Sequence, residues 1–209
     1  MQVLVNITFR PLLLLTFCLL SCFLGAQHYH WAQTIGGENS DGAGITRVDK
    51  SGNLYVTGFF KGVVDFDPGP GVASLSCTSS TGDPYILKMD SSGKFIWVKS
   101  FTYLGGAFHG AIYMPGFILD EFDNIYLSGS FHGTFDFDPG VGTTTLAAGG
   151  VDQHIFIVKL TPDGDFSWAK TIGTPGANLA VFAMTNGSPG KFHLSGHYRS
   201  RWAPLDFDP

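Results

Sequence analysis

The sequence predicts an all-β protein, a β-propeller made of four-stranded antiparallel blades, with about two blades complete and others partial. The phrase Asp-Phe-Asp-Pro occurs three times, at 65–68, 136–139 and 206–209, so its intervals are 71 and 70 residues. Segments between the copies recur as well, which marks a repeat array. The composition agrees with short strands and turns. There are 28 glycines and 11 prolines, and the acids are nearly all Asp, with Glu only at Glu38 and Glu121. Asp and Gly supply turn geometry and disfavour helix interiors.

Residues 1–26 stand apart from the repeats. One cation, Arg10, precedes an uncharged run from Pro11 to Leu24 rich in Leu, Phe and Cys, and the small pair Gly25-Ala26 follows. This is the layout of a signal peptide, and the run is marginal for a bilayer span, which takes about 20 apolar residues. Cleavage is expected after Ala26, leaving 27–209 as the repeat region, with no membrane span once the leader is removed. The alternative is a lipoprotein-like site at Leu19-Leu20-Ser21-Cys22, with Cys22 lipidated, although Leu20 fits that pattern poorly. The expected location is secreted or at the cell surface.

Cleavage after Ala26 leaves Cys77 as the single cysteine, so no intrachain disulfide can form although export permits them. Cys77 is expected to be a small, partly buried apolar residue. Without Arg10, 11 Lys and Arg face 17 acids. The cations are scattered, and nucleic acid, which is bound through a basic stripe, is excluded as a partner.

Four strands are expected in each unit. Trp31 to Ile35, Trp97 to Phe101 and Trp168 to Ile172 alternate apolar and polar residues, the mark of a strand with one buried face; this is strand D. Glycines break each copy, and a loop of variable length leads to strand A, expected at 44–48, 116–119 and 179–184. Those runs are apolar on both faces, as in strands buried on both sides.

Asp49 to Asn53 and Asp120 to Asn124 carry hairpin-turn chemistry; the third copy, Thr185 to Lys191, has diverged but keeps Asn186-Gly187 and Pro189-Gly190. Strand B follows at 54–59, 125–131 and 192–196. Gly58, Gly129 and Gly196 fall at the same place in each, which indicates a bulge or a close backbone approach. The Asp-Phe-Asp-Pro phrase comes next, then a long connection to strand C at 85–89 and 155–160. The turns Asp90 to Gly93 and Thr161 to Gly164 lead into the next strand D. Four antiparallel strands per repeat is the make-up of a propeller blade. The repeat units are therefore about 44–101, 116–172 and 179–209, the last partial.

Several ordered motifs carry a family likeness. Asp49-Lys50-Ser51-Gly52-Asn53-Leu54-Tyr55-Val56-Thr57-Gly58-Phe59-Phe60, Asp65-Phe66-Asp67-Pro68-Gly69, Ile86-Leu87-Lys88-Met89-Asp90-Ser91-Ser92-Gly93 and Trp168-Ala169-Lys170 resemble the SBBP-type β-propeller repeats of secreted bacterial proteins. The likeness covers nearly all of His30 to Pro209. It implies short four-stranded blades in a protein displayed at or released from the cell surface, and it carries no catalytic signature. A ring takes typically 4 to 8 blades, so the sequence reads as the front part of a longer parent chain whose remaining blades are its first partners. Alone, His30 to Pro209 would expose edges and blade faces that stacking normally covers, and it is expected to oligomerise or aggregate.

The paired carboxylates Asp65 and Asp67, and Asp136 and Asp138, sit two apart and are weak candidates for a shared calcium ion, the only cofactor considered. Calcium takes 6 to 8 oxygens, more than two carboxylates supply. The preferred reading is that Phe66, Phe137 and Phe207 are packing anchors while the Asp residues cap the Pro-Gly turn. Lys61, His132 and Arg199 follow strand B in matching places, where an exposed ion pair with the Asp residues would organise the turn. His193 and His197 lack the helix and the Glu of a metalloprotease pair. No serine-elbow, phosphate-loop or paired-cysteine zinc pattern is present. Trp31, Trp97 and Trp168, with Tyr55 and Tyr126, are read as core packing rather than a ring of sugar-binding aromatics.

The function expected from these residues is non-enzymatic: a scaffold or binding module for an extracellular protein or glycan, with ligand contacts in variable loops such as Tyr103 to Pro115. The alternative is a propeller-type polysaccharide hydrolase or lyase whose active site lies beyond these residues. Fold alone does not decide between them.

Overall fold

The computed structural model describes residues 31–77, 79–106 and 112–200. The signal peptide expected at residues 1–26, with Cys22, and the third Asp-Phe-Asp-Pro phrase, with Phe207, lie outside the described residues. The chain divides into a leading unit, Met1–Ala32, of which only Trp31 and Ala32 are described, and a body, Gln33–Pro209.

The described residues are all β and contain no helix. Strands β1 (Gly42–Val48) and β2 (Leu54–Phe60) are joined by a tight turn in which Gly52 N donates to Asp49 O and Asp49 N to Asn53 O, both at 3.0 Å. A short hairpin follows, β3 (Gly62–Asp65) with β4 (Ser74–Cys77). The chain then returns as β5 (Asp83–Met89) and β6 (Phe95–Ser100), which complete a four-stranded antiparallel sheet in the order β1-β2-β5-β6.

After β7 (Thr102–Gly105) the plan repeats with β8 (Ile112–Leu119), β9 (Ile125–Phe131), the hairpin β10 (Gly133–Asp136) and β11 (Thr145–Ala148), then β12 (His154–Leu160) and β13 (Phe166–Ile172). The second four-stranded sheet has the order β13-β12-β9-β8, and β7 joins β10 and β11 in a three-stranded sheet. Strands β14 (Ala177–Asn186) and β15 (Phe192–Ser200) pair as the A and B strands of a third unit.

Three expectations need correction. Residues 31–37 form no strand: Gly37 lies close to the Val63 carbonyl of β3, yet β3 pairs in a ladder only with β4. Asp-Phe-Asp-Pro is not merely a turn between B and C, because it closes an additional hairpin whose strands are only four residues long. Strand A is buried on both faces only in the second unit, where Gly116, Phe117 and Ile118 are all buried, while in β14 burial alternates. β1 is mostly exposed, with Val48 60% accessible, and it is strand C that is covered on both sides, every residue of β5 being buried.

The recurrent glycines explain how A lies on B. Each faces a register shift in strand A, between Ala43 and Thr46, Tyr113 and Gly116, and Val181 and Ala183. A Cβ at Gly58, Gly129 or Gly196 would collide with the carbonyl oxygen of Gly42, Tyr113 or Ala180 respectively. The bulge therefore sits in A, and glycine in B makes room for it.

Aromatic rings dominate the core. Phe137 stacks 4.8 Å from Phe156, 5.4 Å from Phe131 and 5.5 Å from Phe101 by ring centroids. All four are fully buried, and burial of each stabilises the fold by about 1.5–3 kcal/mol. Phe101 follows the last strand of the first sheet, so its ring joins that sheet to the hairpin of the second. In the first unit Phe66 packs on Tyr85 at 4.8 Å and Phe60 at 5.4 Å.

Candidate functional site

The two complete units place the same side chains at the A–B end of each sheet. Asp49 opens the β1–β2 turn. Its Oδ1 accepts from Ser51 N at 2.9 Å and Asn53 N at 2.8 Å, and its Oδ2 from Asn53 Nδ2 at 2.8 Å and Tyr55 Oη at 3.3 Å. Lys88 Nζ lies 3.7 Å from that carboxylate and 4.9 Å from the centre of the Tyr55 ring. Burial by itself would raise the Asp49 carboxyl, but the Asn53 and Ser51 hydrogen bonds and the Lys88 charge hold it below its ordinary value.

Asp120 repeats the arrangement, accepting from Phe122 N and Asn124 N at 2.9 Å each and from Asn124 Nδ2 at 2.9 Å. Lys159 Nζ stands 5.2 Å from the Tyr126 ring centre. Here too burial is outweighed by hydrogen bonds from Asn124 and Phe122 and by Lys159, and the carboxyl is lowered. Asp123, with φ at 60°, occupies the place of Gly52, with φ at 83°; Asp tolerates the left-handed region better than most residues.

Beside this second set lies an open cleft of about 530 Å³, floored by Tyr126 and Lys159 and walled by the Asp120–Asn124 turn and by residues 186–192. A second cleft, about 340 Å³, lies between the Asp67–Gly71 loop and Ser92–Phe95.

The Asp pairs serve the hairpin tips. Asp65 Oδ1 accepts from Asp67 N at 3.1 Å and Ala73 N at 2.8 Å, and Asp67 Oδ1 accepts from Gly69 N at 2.8 Å. Asp136 and Asp138 reproduce this with Asp138 N at 3.0 Å, Thr144 N at 2.8 Å and Gly140 N at 2.8 Å. Backbone hydrogen bonds from Ala73 and Asp67 hold the Asp65 carboxyl below its ordinary value. No group of three or more His, Cys, Asp or Glu suited to a metal occurs among the described residues.

Other singled-out residues fall in separate places. His132 Nδ1 lies 2.7 Å from Asp152 O, away from the Asp pair. Ion pairs form between Lys88 and Asp49 and between Lys99 and Asp165. His197 stacks on Phe182 at 5.4 Å. Burial pushes the Cys77 thiol up, with the Asp83 charge adding to it, the reverse of what a reactive thiolate needs. Trp97 and Trp168 pack on Tyr55 and Tyr126 at 6.0 and 6.2 Å, while Trp31 belongs to the leading unit. Within Tyr103 to Pro115, residues 102–105 and 112–115 are strand, and 107–111 lie outside the described residues.

No protein-family model matches the sequence, and a search of curated proteins finds no match.

The residues missed in the sequence are Lys88 and Lys159. Their signal was present: each lies 71 residues from its counterpart, as do Asp49 and Asp120, and Tyr55 and Tyr126. A Lys inside an apolar strand C has to bring its charge to an acceptor, because burying it alone is costly.

Proposed function

We propose that this protein is a secreted or cell-surface β-propeller repeat protein acting as a non-enzymatic scaffold or binding module for an extracellular protein or glycan. The observation that carries the reading is the recurrence of one sheet order, A-B-C-D, with an identical hairpin between B and C, at a fixed offset along the chain. Sheets repeated in this way stack face to face as the blades of a ring, which takes typically 4 to 8 of them. The motifs that resemble SBBP repeats fall on these strands and turns and favour the same reading. The clefts lie between turns, and turns vary among units while strands do not, which is how a rigid scaffold carries different ligands.

The test uses the secreted protein with its natural flanking sequence. Electron microscopy should find a closed ring, and an open linear array of sheets would sink the propeller. A glycan and protein-ligand screen run beside a polysaccharide-degradation assay should give binding without turnover. Turnover would overturn the scaffold reading in favour of a hydrolase or lyase.

A further inference from the structure

Strand C of each complete unit begins on an ionisable side chain that is shut away from water. Asp83 opens β5 and is 5% exposed; His154 opens β12, 71 residues further on, and is 8% exposed. Their places in the ladder match, Asp83 lying opposite Phe60 and His154 opposite Phe131. Asp83 Oδ1 makes no hydrogen bond, and neither ring nitrogen of His154 is in hydrogen-bonding geometry with a partner. A buried group in that state tolerates its neutral form far better than its charged one. One is an acid and the other a base.

The surroundings enclose each group without offsetting its charge. Around Asp83 stand the Cys77 thiol of β4 and the Tyr103 backbone of β7; burial outweighs their hydrogen bonds and pushes the carboxyl above its ordinary 3.8. Around His154, burial outweighs the Thr174 backbone and the Asp152 charge, His132 adds to it, and the imidazole is held below its ordinary value. The Phe131 ring stands edge-on at 6.3 Å, and a Cβ at Gly173 would lie 2.4 Å from the imidazole, so the chain after β13 packs directly on it.

We propose that position 83 and its repeat, position 154, decide which unit opens as the pH changes: a rise from mild acid loosens the first unit at Asp83, and a fall loosens the second at His154. Neither ring closure nor a ligand is needed, so this goes beyond the scaffold reading. Folded Asp83 holds its proton more firmly than the unfolded chain does, so its contribution is full below about pH 3.8 and is lost as the pH rises toward the folded value. Folded His154 gives up its proton more readily, so its contribution is full above about pH 6.5 and is lost as the pH falls. In the stability of the whole chain the two slopes oppose each other. They separate in local opening, because one repeat unit can open without its neighbour. In the first unit the opening frees β4 and β7, which border Asp83 through Cys77 and Tyr103; in the second it frees the chain at Gly173 and Thr174.

The test is native-state hydrogen exchange on the secreted chain at about pH 5 and about pH 7.5, with each rate corrected for the pH dependence of an unstructured amide and residues 85–89 and 155–160 as reporters. The protection ratio, first unit over second, should fall about tenfold between the two, the value of one pKa unit. Asp83→Asn should make protection of the first reporter independent of pH, and His154→Leu should do the same for the second. Cys77→Ala, which installs the residue present at the matching Ala148, should keep the shift. A ratio that stays constant or rises with pH overturns the proposal, and the unaltered protein alone gives that result. A shift that survives Asp83→Asn and His154→Leu together, or that Cys77→Ala abolishes, overturns it as well.

Discussion

Lys88 and Pro162 are 74 residues apart, yet the lysine ammonium donates to the proline carbonyl at 3.1 Å. The bond ties strand C of one sheet to the turn of the next while the same ammonium faces the Asp49 carboxylate. Replacing Lys88 by Met keeps the apolar stem but removes the donor from Pro162 O and the counter-charge from Asp49, which keeps its hydrogen bonds from Ser51, Asn53 and Tyr55. The expected cost is about 1–3 kcal/mol, read as a lower urea midpoint at unchanged slope. Lys159→Met, at the matching half-buried position, should stay within about 0.5 kcal/mol. Equal costs at the two sites would contradict this account.

Gly129 faces the strand A bulge so closely that any Cβ would run into Tyr113 O and the Phe156 ring. Backbone cannot yield there without breaking the β8–β9 ladder. Gly129→Ala should therefore destabilise by about 2 kcal/mol or more. Gly149→Ala, where nothing lies within 4 Å, should change the melting temperature little. The pair of melts separates steric demand from a general cost of losing glycine.

His154 begins strand C of the second unit, 8% exposed, with neither ring nitrogen in hydrogen-bonding geometry with a partner. Burial holds its imidazole below the ordinary value of 6.5, against the pull of the Thr174 backbone and of the Asp152 charge and with His132 adding to the lowering. The unfolded chain then binds the proton more readily, so stability is full above about pH 6.5 and falls as the pH drops toward the folded value. His154→Leu should remove that part of the acid slope. Melting temperatures of both proteins from roughly pH 7 to pH 5 test this: an unchanged difference across the range would refute it.

Asp65 and Asp136 each use Oδ1 to receive two backbone amides at the hairpin tip. These carboxylates already act as turn organisers, and we expect calcium at about millimolar concentration to leave the melting temperature unchanged. A calcium-dependent rise would assign the Asp65–Asp67 or Asp136–Asp138 pair to a cation. Asp136→Asn, which keeps an acceptor oxygen, should preserve the hairpin and abolish any such rise.

Much of the architecture was legible because it is local. Alternation around Trp97 and Trp168, turn chemistry at Asp49 to Asn53 and Asp120 to Asn124, and glycines at 58, 129 and 196 all act within a few residues and recur at a fixed spacing. The β3–β4 and β10–β11 hairpins were not legible. Their strands are only four residues long, too short for a period to register, and their tips looked complete as isolated turns.

From the chain alone came the all-β class, the A-B-C-D order and the identity of Phe66 and Phe137 as apolar residues among acids. Tertiary structure decided which faces are covered. Strand A reads as apolar throughout yet lies largely exposed in β1, while strand C, with Lys88 within it, is enclosed on both sides. Burial depends on what packs from distant sequence, and a lysine's acceptor 74 residues away cannot be read from its neighbours. The same dependence makes Lys88 a buried joint and leaves Lys159, its repeat, at the floor of an open cleft.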